Sequence, residues 1–292
     1  MYDWIVGSTT YSLDDGASFF MDGISGTGMM PVRRLEERGP LQNGVTDRGY
    51  RLDPRVIIIS MYIKGSSYEN LYTKRTELIN MFKPSNTAGK LKFTLGSTVR
   101  QIEGHYVGDS LGMDDTVETY LTKRVAVALK CPDPRWYDPS MVAVTYSLGG
   151  GADTFVVPFE VPFGIGASTI DTTKTVTYNG NIKSYPTIRI TGPITNPVIT
   201  HNQTGYKLDF TGITIAALDY YEIDLGYSDN TIEDSTGANV LDDLTTDSNL
   251  VEFAIEPAPT VSGGVNSINV TGSGVSEATK ITINYYEYYI GI

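Results

Sequence analysis

Short runs of β-branched and aromatic residues recur along almost the whole chain, each closed by Gly, Asn, Asp or Pro. That rhythm confines the fold to antiparallel β architecture. Residues 56–63, 91–95, 100–107 and 122–129 read as strands of the first half. In the second half the runs fall at 155–161, 173–178, 187–191, 198–200, 207–210, 220–225, 250–255, 267–270 and 280–289. So many short strands in so little chain suit a jelly-roll or galectin-like sandwich. Polar alternation nearly vanishes along residues 124–129, which predicts a strand covered on both faces.

One segment breaks the period of two. Tyr68, Leu71, Tyr72, Leu78, Ile79 and Phe82 recur at helical spacing, Ser66 and Glu69 form a capping box, and Pro84 provides a stop. A helix is therefore predicted over about 67–82, with that face inward. Glu69, Asn70, Thr73, Lys74, Glu77 and Asn80 are expected on the face turned to solvent or a neighbouring subunit.

The run Cys131-Pro132-Asp133-Pro134-Arg135-Trp136-Tyr137-Asp138-Pro139 divides the chain. Residues 1–140 hold 17 Lys and Arg against 17 Asp and Glu, and residues 141–292 hold 5 against 17. All of the formal charge of −12 thus lies in the second half. Such a shift at a proline-rich segment reads as a boundary between domains. The expected organisation is a first domain over 1–147 with the one helix, a Gly-rich linker over 148–154 around Gly149, Gly150 and Gly151, and a second sandwich over 155–292. The fold class is mainly β, with two β-sandwich domains.

Composition excludes several functions. The densest apolar stretch, around Val56 to Ile59, is far shorter than the roughly 20 residues a membrane helix needs, so no membrane insertion is expected. The start, Met1-Tyr2-Asp3-Trp4, lacks the cationic opening of a secretion signal, which points to synthesis and folding in a cytoplasm. Cys131 alone permits neither an internal disulfide nor a cysteine zinc cluster and reads as a small buried hydrophobe. His105 and His201 stand in no frame with a nucleophile, and no phosphate cradle or nucleophile elbow occurs. No catalytic residue, cofactor or metal is therefore assigned. Asp229, Glu233, Asp234, Asp242, Asp243 and Asp247 supply hard oxygen ligands but lack the spacing of a calcium loop, and a solvated acidic face is the simpler reading.

The ordered set of motifs resembles the distal tail proteins of siphophages, the Dit family. In the first half the likeness rests on Arg51-Leu52-Asp53-Pro54-Arg55-Val56-Ile57-Ile58-Ile59 with Gly65, the helical segment up to Pro84, Gly89-Lys90-Leu91-Lys92-Phe93, and the closing Cys131 to Tyr137 run. In the second half it rests on Tyr185-Pro186-Thr187-Ile188-Arg189-Ile190-Thr191-Gly192, then Asn196-Pro197, Thr204-Gly205, Tyr221-Glu222-Ile223-Asp224 and the terminal Tyr285-Tyr286-Glu287-Tyr288-Tyr289-Ile290-Gly291-Ile292. Residues 1–30 and the acidic segment match more loosely.

The resemblance implies a structural, non-enzymatic virion protein: a homo-hexameric ring at the tip of a long non-contractile tail, assembled in the bacterial host's cytoplasm. The first domain would form a belt around a channel, and the second would be a galectin-like module facing outward. Implied partners are the tail tube protein, the tape-measure protein, a tail tip or hub protein of the tail-associated lysin kind, and a receptor-binding or fibre protein. DNA would pass through the channel without specific binding. Arg33, Arg34, Arg38, Arg48 and Arg51 are then expected to pair across subunit contacts, with Arg33, Arg34, Arg48 and Arg51 as the ring interface. Trp136 and Tyr137 are expected to pack the joint between the domains. The alternative is a carbohydrate- or host-surface-binding module in which tyrosines such as Tyr220, Tyr221 or Tyr227 of the second sandwich stack on sugars.

Overall fold

The structure, a computed structural model, describes residues 1–108, 121–147, 168–226 and 230–292. It divides into two units: Met1–Pro139 together with Tyr289–Ile292, and Ser140–Tyr288. The second unit is thus inserted in the first, between its last long stretch and the four terminal residues.

In the first unit the strands are β1 (Tyr2–Val6), β2 (Thr9–Ser12), β3 (Phe19–Ser25), β4 (Val32–Glu37), β5 (Thr46–Leu52) and β6 (Arg55–Lys64). The helix α1 (Tyr68–Met81) follows, then β7 (Gly89–Leu95), β8 (Thr98–Tyr106), β9 (Thr122–Cys131) and β10 (Trp136–Tyr137). The main sheet runs β2-β1-β7-β8-β9-β6-β3, while β4 and β5 pair only with each other. Strict alternation along β6 sends Ile57, Ile59, Met61 and Ile63 into the core, where they meet Val125, Val127 and Leu129 of β9. Trp4, Leu91, Ile102 and Phe82 close the cluster.

The loop before β3 is set by one side chain. The Asp15 carboxylate accepts the amides of Ala17, Ser18 and Phe19 at 2.8, 2.7 and 2.8 Å, which turns Phe19 into the core. Burial pushes its pKa up, but those amides, with Lys74 nearby, outweigh it and hold the group below the usual carboxylate range. A lowered folded-state value adds stability above the unfolded value of about 3.9, and that stability is lost as pH falls through the folded value. Asp15→Asn should therefore be about 1 kcal/mol less stable than the parent at pH 7, with the gap narrowing as pH falls below about 3.9, read from denaturant midpoints.

The helix forms where periodicity predicts, with its cap one residue later. Ser67 Oγ accepts the Asn70 amide at 3.1 Å, and Asn70 Oδ1 accepts the Ser66 amide at 3.1 Å, so Asn70 takes the part expected of Glu69. Its inward face is narrower than predicted. Leu71, Leu78, Met81 and the following Phe82 are buried, whereas Tyr68, Tyr72 and Ile79 are exposed. A helix laid on a sheet buries only one stripe, and the leucine stripe occupies it.

In the second unit the strands are β11 (Val142–Ser147), β12 (Thr169–Thr177), β13 (Thr187–Thr191), β14 (Ile194–His201), β15 (Lys207–Asp209) and β16 (Thr214–Ile215). After them come β17 (Tyr220–Asp224), β18 (Thr231–Asp234), β19 (Val265–Ser273) and β20 (Lys280–Tyr285). They make two five-stranded antiparallel sheets, β11-β20-β13-β17-β18 and β12-β19-β14-β15 with β16 beside β14. Ile188, Ile190, Ile223 and Ile283 of one sheet share a core with Ile199, Leu208, Ile268 and Val270 of the other, a β-sandwich.

Three expectations change. The division falls at Pro139 and Ser140, not at 147, because Val142 to Ser147 pair along their whole length with Tyr285 to Lys280. The terminal four residues go back to the first unit. Residues 250–255 do not form a strand: Phe253 and Ile255 are buried, but the Phe253 amide turns back to the Asn249 carbonyl, and only Ile255 bridges to Ser184. The expected linker over 148–154 and strand over 155–161 lie outside the described residues.

Candidate functional site

The arginines singled out from the sequence all stand on one ribbon. Pro31 precedes β4, the loop passes Asn43-Gly44 with Gly44 at φ +80°, and a register shift between Arg34 and Glu36 bulges the strand. Val32 lies opposite Leu52, Arg33 opposite Arg51 and Arg34 opposite Tyr50. Every residue of β4 is exposed, as are all of β5 except Leu52.

The acids that serve these arginines come from the same segment. Arg33 Nε donates to Asp53 Oδ2 at 2.9 Å, and Arg51 Nε lies 3.6 Å from Asp53 Oδ1. Arg34 Nη1 bonds Asp47 at 3.2 Å, and Arg48 Nη2 bonds Glu37 at 2.6 Å. Arg38 Nε donates to the Gln42 carbonyl at 3.4 Å. Each of the four interface candidates thus has an acidic partner on its own segment, with Asp53 shared between Arg33 and Arg51. Pairs this exposed contribute about 0–1 kcal/mol each, so the ribbon is not held by its charges.

Trp136 and Tyr137 sit in the first unit. Trp136 is fully enclosed in the core with Ile57, Leu91 and Cys131, which places its indole among that unit's own packing. Tyr137 pairs with Gln101 on β8 and donates its hydroxyl to Glu103 at 3.2 Å.

The sequence reading gave Arg55, part of the Arg51 to Ile59 motif, no role of its own. It is 1% exposed, and its Nη1 donates to the carbonyls of Gly26 and Gly28, both at 2.9 Å, while Nη2 donates to Ile290 at 2.5 Å. Burial lowers its pKa, against a small opposing pull from Cys131. The guanidinium thereby ties the terminal residues to the first unit, helped by Tyr289, whose ring lies 3.5 Å from the Arg100 guanidinium. A signal was present: Arg55 occupies the same alternation phase as Ile57, Ile59, Met61 and Ile63.

A cleft of about 110 Å³ is lined by Trp4, Phe82, Lys83, Pro84, His105 and Tyr106, among others, and none of its lining residues is a carboxylate. Burial first, and Asp133 in addition, push the Cys131 thiol up to about 12 against the pull of Arg55, so it stays protonated at neutral pH. The acidic residues of the second unit serve their own loops: Asp234 Oδ1 accepts from Thr236 and Ala238, and Asp243 accepts the Tyr221 hydroxyl at 2.5 Å. Among the described residues no three His, Cys, Asp or Glu side chains gather to hold a metal ion. Asp229 lies outside the described residues, as does Tyr227. Tyr220 carries the Arg189 guanidinium 3.5 Å from its ring.

Residues 7–129 match the family model described as the phage tail protein RIFT-related domain. That stretch resembles a phage tail domain. The matched stretch takes in β2 to β8 with the helix and the β4–β5 ribbon, and most of β9, but neither β1 nor β10. Across 99% of both chains the fold resembles the crystal structure of the Dit protein of phage SPP1, described as a paradigm of the hub adsorption apparatus in phages infecting Gram-positive bacteria, with a TM-score of 0.62 and 14% identity. Chains of the phage p2 baseplate in its activated conformation, with Sr and with Ca, align over 97% of this chain at a TM-score of 0.46 and 11% identity. A search of curated protein sequences finds no match. Over its length the chain thus has a Dit-like fold, and residues 7–129 resemble a phage tail domain.

Proposed function

We propose that this chain is a structural hub that forms a homo-hexameric ring at the distal end of a long non-contractile tail. The match of residues 7–129 to a phage tail domain carries the reading, supported by the Dit-like fold of the whole chain. In this role the first unit forms the belt and the second unit is a galectin-like module. The ring joins the tail tube and tape-measure proteins to the tip or hub protein and carries receptor-binding or fibre proteins. It lets DNA pass unbound and assembles in the host cytoplasm. A ribbon whose arginines are largely paired with its own acids suits a surface that does not grip phosphate strongly.

A sugar-binding role finds less support, since Arg189 stacks on Tyr220 and the Tyr221 hydroxyl is bound to Asp243. Immunogold labelling of particles that carry this chain tests the placement. Label confined to the distal tip of the tail is expected; label along the tube or on the capsid would overturn it.

A further inference from the structure

The first unit is closed by residues that its main stretch of chain does not contain. Met1–Pro139 supplies its sheet and helix, but Tyr289–Ile292, which belong to it, follow only after Ser140–Tyr288. Those four residues fill a slot. The turn at Gly26 is pressed so tightly on β6 that a Cβ there, at φ +84°, would lie 2.2 Å from the Val56 carbonyl oxygen. Against this turn the Ile292 amide donates to the Thr27 carbonyl at 3.2 Å, and a Cβ on Gly291 would lie 2.5 Å from the Gly28 carbonyl oxygen. Tyr289 packs on the unit's core and against the Arg100 guanidinium.

Arg55 makes an empty slot costly. Its Nη1 is taken up by the Gly26 and Gly28 carbonyls, its Nη2 donates to Ile290, and its Nε has no partner among the described residues. Without residues 289–292 this buried cation loses a further acceptor, a heavier loss than that of a surface bond.

We propose that residues 289–292 are a closing strap, so that the first unit reaches its full stability only after the second unit has been synthesised. N-terminal domains generally fold as they leave the ribosome. Here completion waits for residues 140–288, on the order of ten seconds at about 5–20 residues per second. Every copy with a finished first unit then carries the second one as well. All of these contacts lie within one chain, so the strap acts with or without the ring.

Chains ending at Tyr288, and full-length Gly291→Val, whose side chain meets the Gly28 backbone, test the strap. In both, the melting temperature followed by tryptophan emission, which reads the first unit through Trp4 and Trp136, should fall by roughly 10 °C, with the second sandwich's transition unmoved. Ile292→Ala changes a side chain that is 38% exposed and should leave both transitions in place. Pulse proteolysis of ribosome-arrested chains tests the order. The first unit should be cut rapidly while residues 289–292 are still in the exit tunnel, and should resist once they have cleared it. An unchanged melting temperature in full-length Gly291→Val overturns the strap, even where chains ending at Tyr288 fail to fold. Full resistance with residues 1–139 alone outside the ribosome overturns the ordering.

Discussion

Trp136→Ala should lower the stability of the first unit by about 3–5 kcal/mol, a large share of the 5–15 kcal/mol that holds a typical domain together. The indole is completely enclosed, in a cluster with Ile57, Leu91, Leu129 and Cys131, so its loss leaves a cavity that flanking strands cannot fill. Among the described residues its Nε1–H has no acceptor, so Trp136→Phe removes an unsatisfied buried donor and should cost about 1 kcal/mol at most. Both tryptophans, Trp4 and Trp136, lie in this core, so in either variant the fluorescence of Trp4 reports the first unit alone. Early loss of the Trp4 signal with the second sandwich intact is the expected result for the alanine variant. Unchanged unfolding would instead give Trp136 the joint role that the sequence suggests.

Asn266→Ala should do comparable damage to the second unit, about 3 kcal/mol or more. Its Oδ1 accepts the Glu256 amide and faces His201 Nε2, each at 2.8 Å, and its Nδ2 donates to the carbonyls of Glu256 and Gly264 at 3.0 Å. His201 Nδ1 accepts the Thr204 amide at 3.3 Å, which assigns the ring proton to Nε2, pointing at Asn266. Asn266 and His201 are wholly buried, so alanine strands these groups away from water. Asn266→Asp keeps the acceptor and loses both donated bonds, and should recover only part of the loss. Tyrosine near-ultraviolet dichroism follows this unfolding, while tryptophan emission, which belongs to the first unit, should not move.

These two residues show what a strand pattern conveys and what it hides. β6, β9 and β13 were readable as strands because each is a short run rich in β-branched residues between turn residues. Trp136 was visible as an aromatic at a boundary, but its burial depends on β7, β8 and β9 closing over it, contacts remote in sequence. Asn266 carried no motif, and Arg55 stood in one that gave it no role. A buried polar group is defined by the carbonyls and amides that come to meet it, and those lie on other segments. β4 and β5 escaped notice for the opposite reason: charged on both faces, they offer no apolar stripe to read.

Part of the candidate site was legible. Arg33, Arg34, Arg48 and Arg51 were picked from the sequence and do share one ribbon, though their acids proved to be its own. The fold boundary moved because Val142 to Ser147 look like a linker's approach until β20, far along the chain, supplies a partner strand.

Assembly state tests the account most directly. Native mass spectrometry of the purified full chain should give a dominant species of six times the 31.9 kDa chain mass. A single species at one chain mass across the whole concentration range would contradict it.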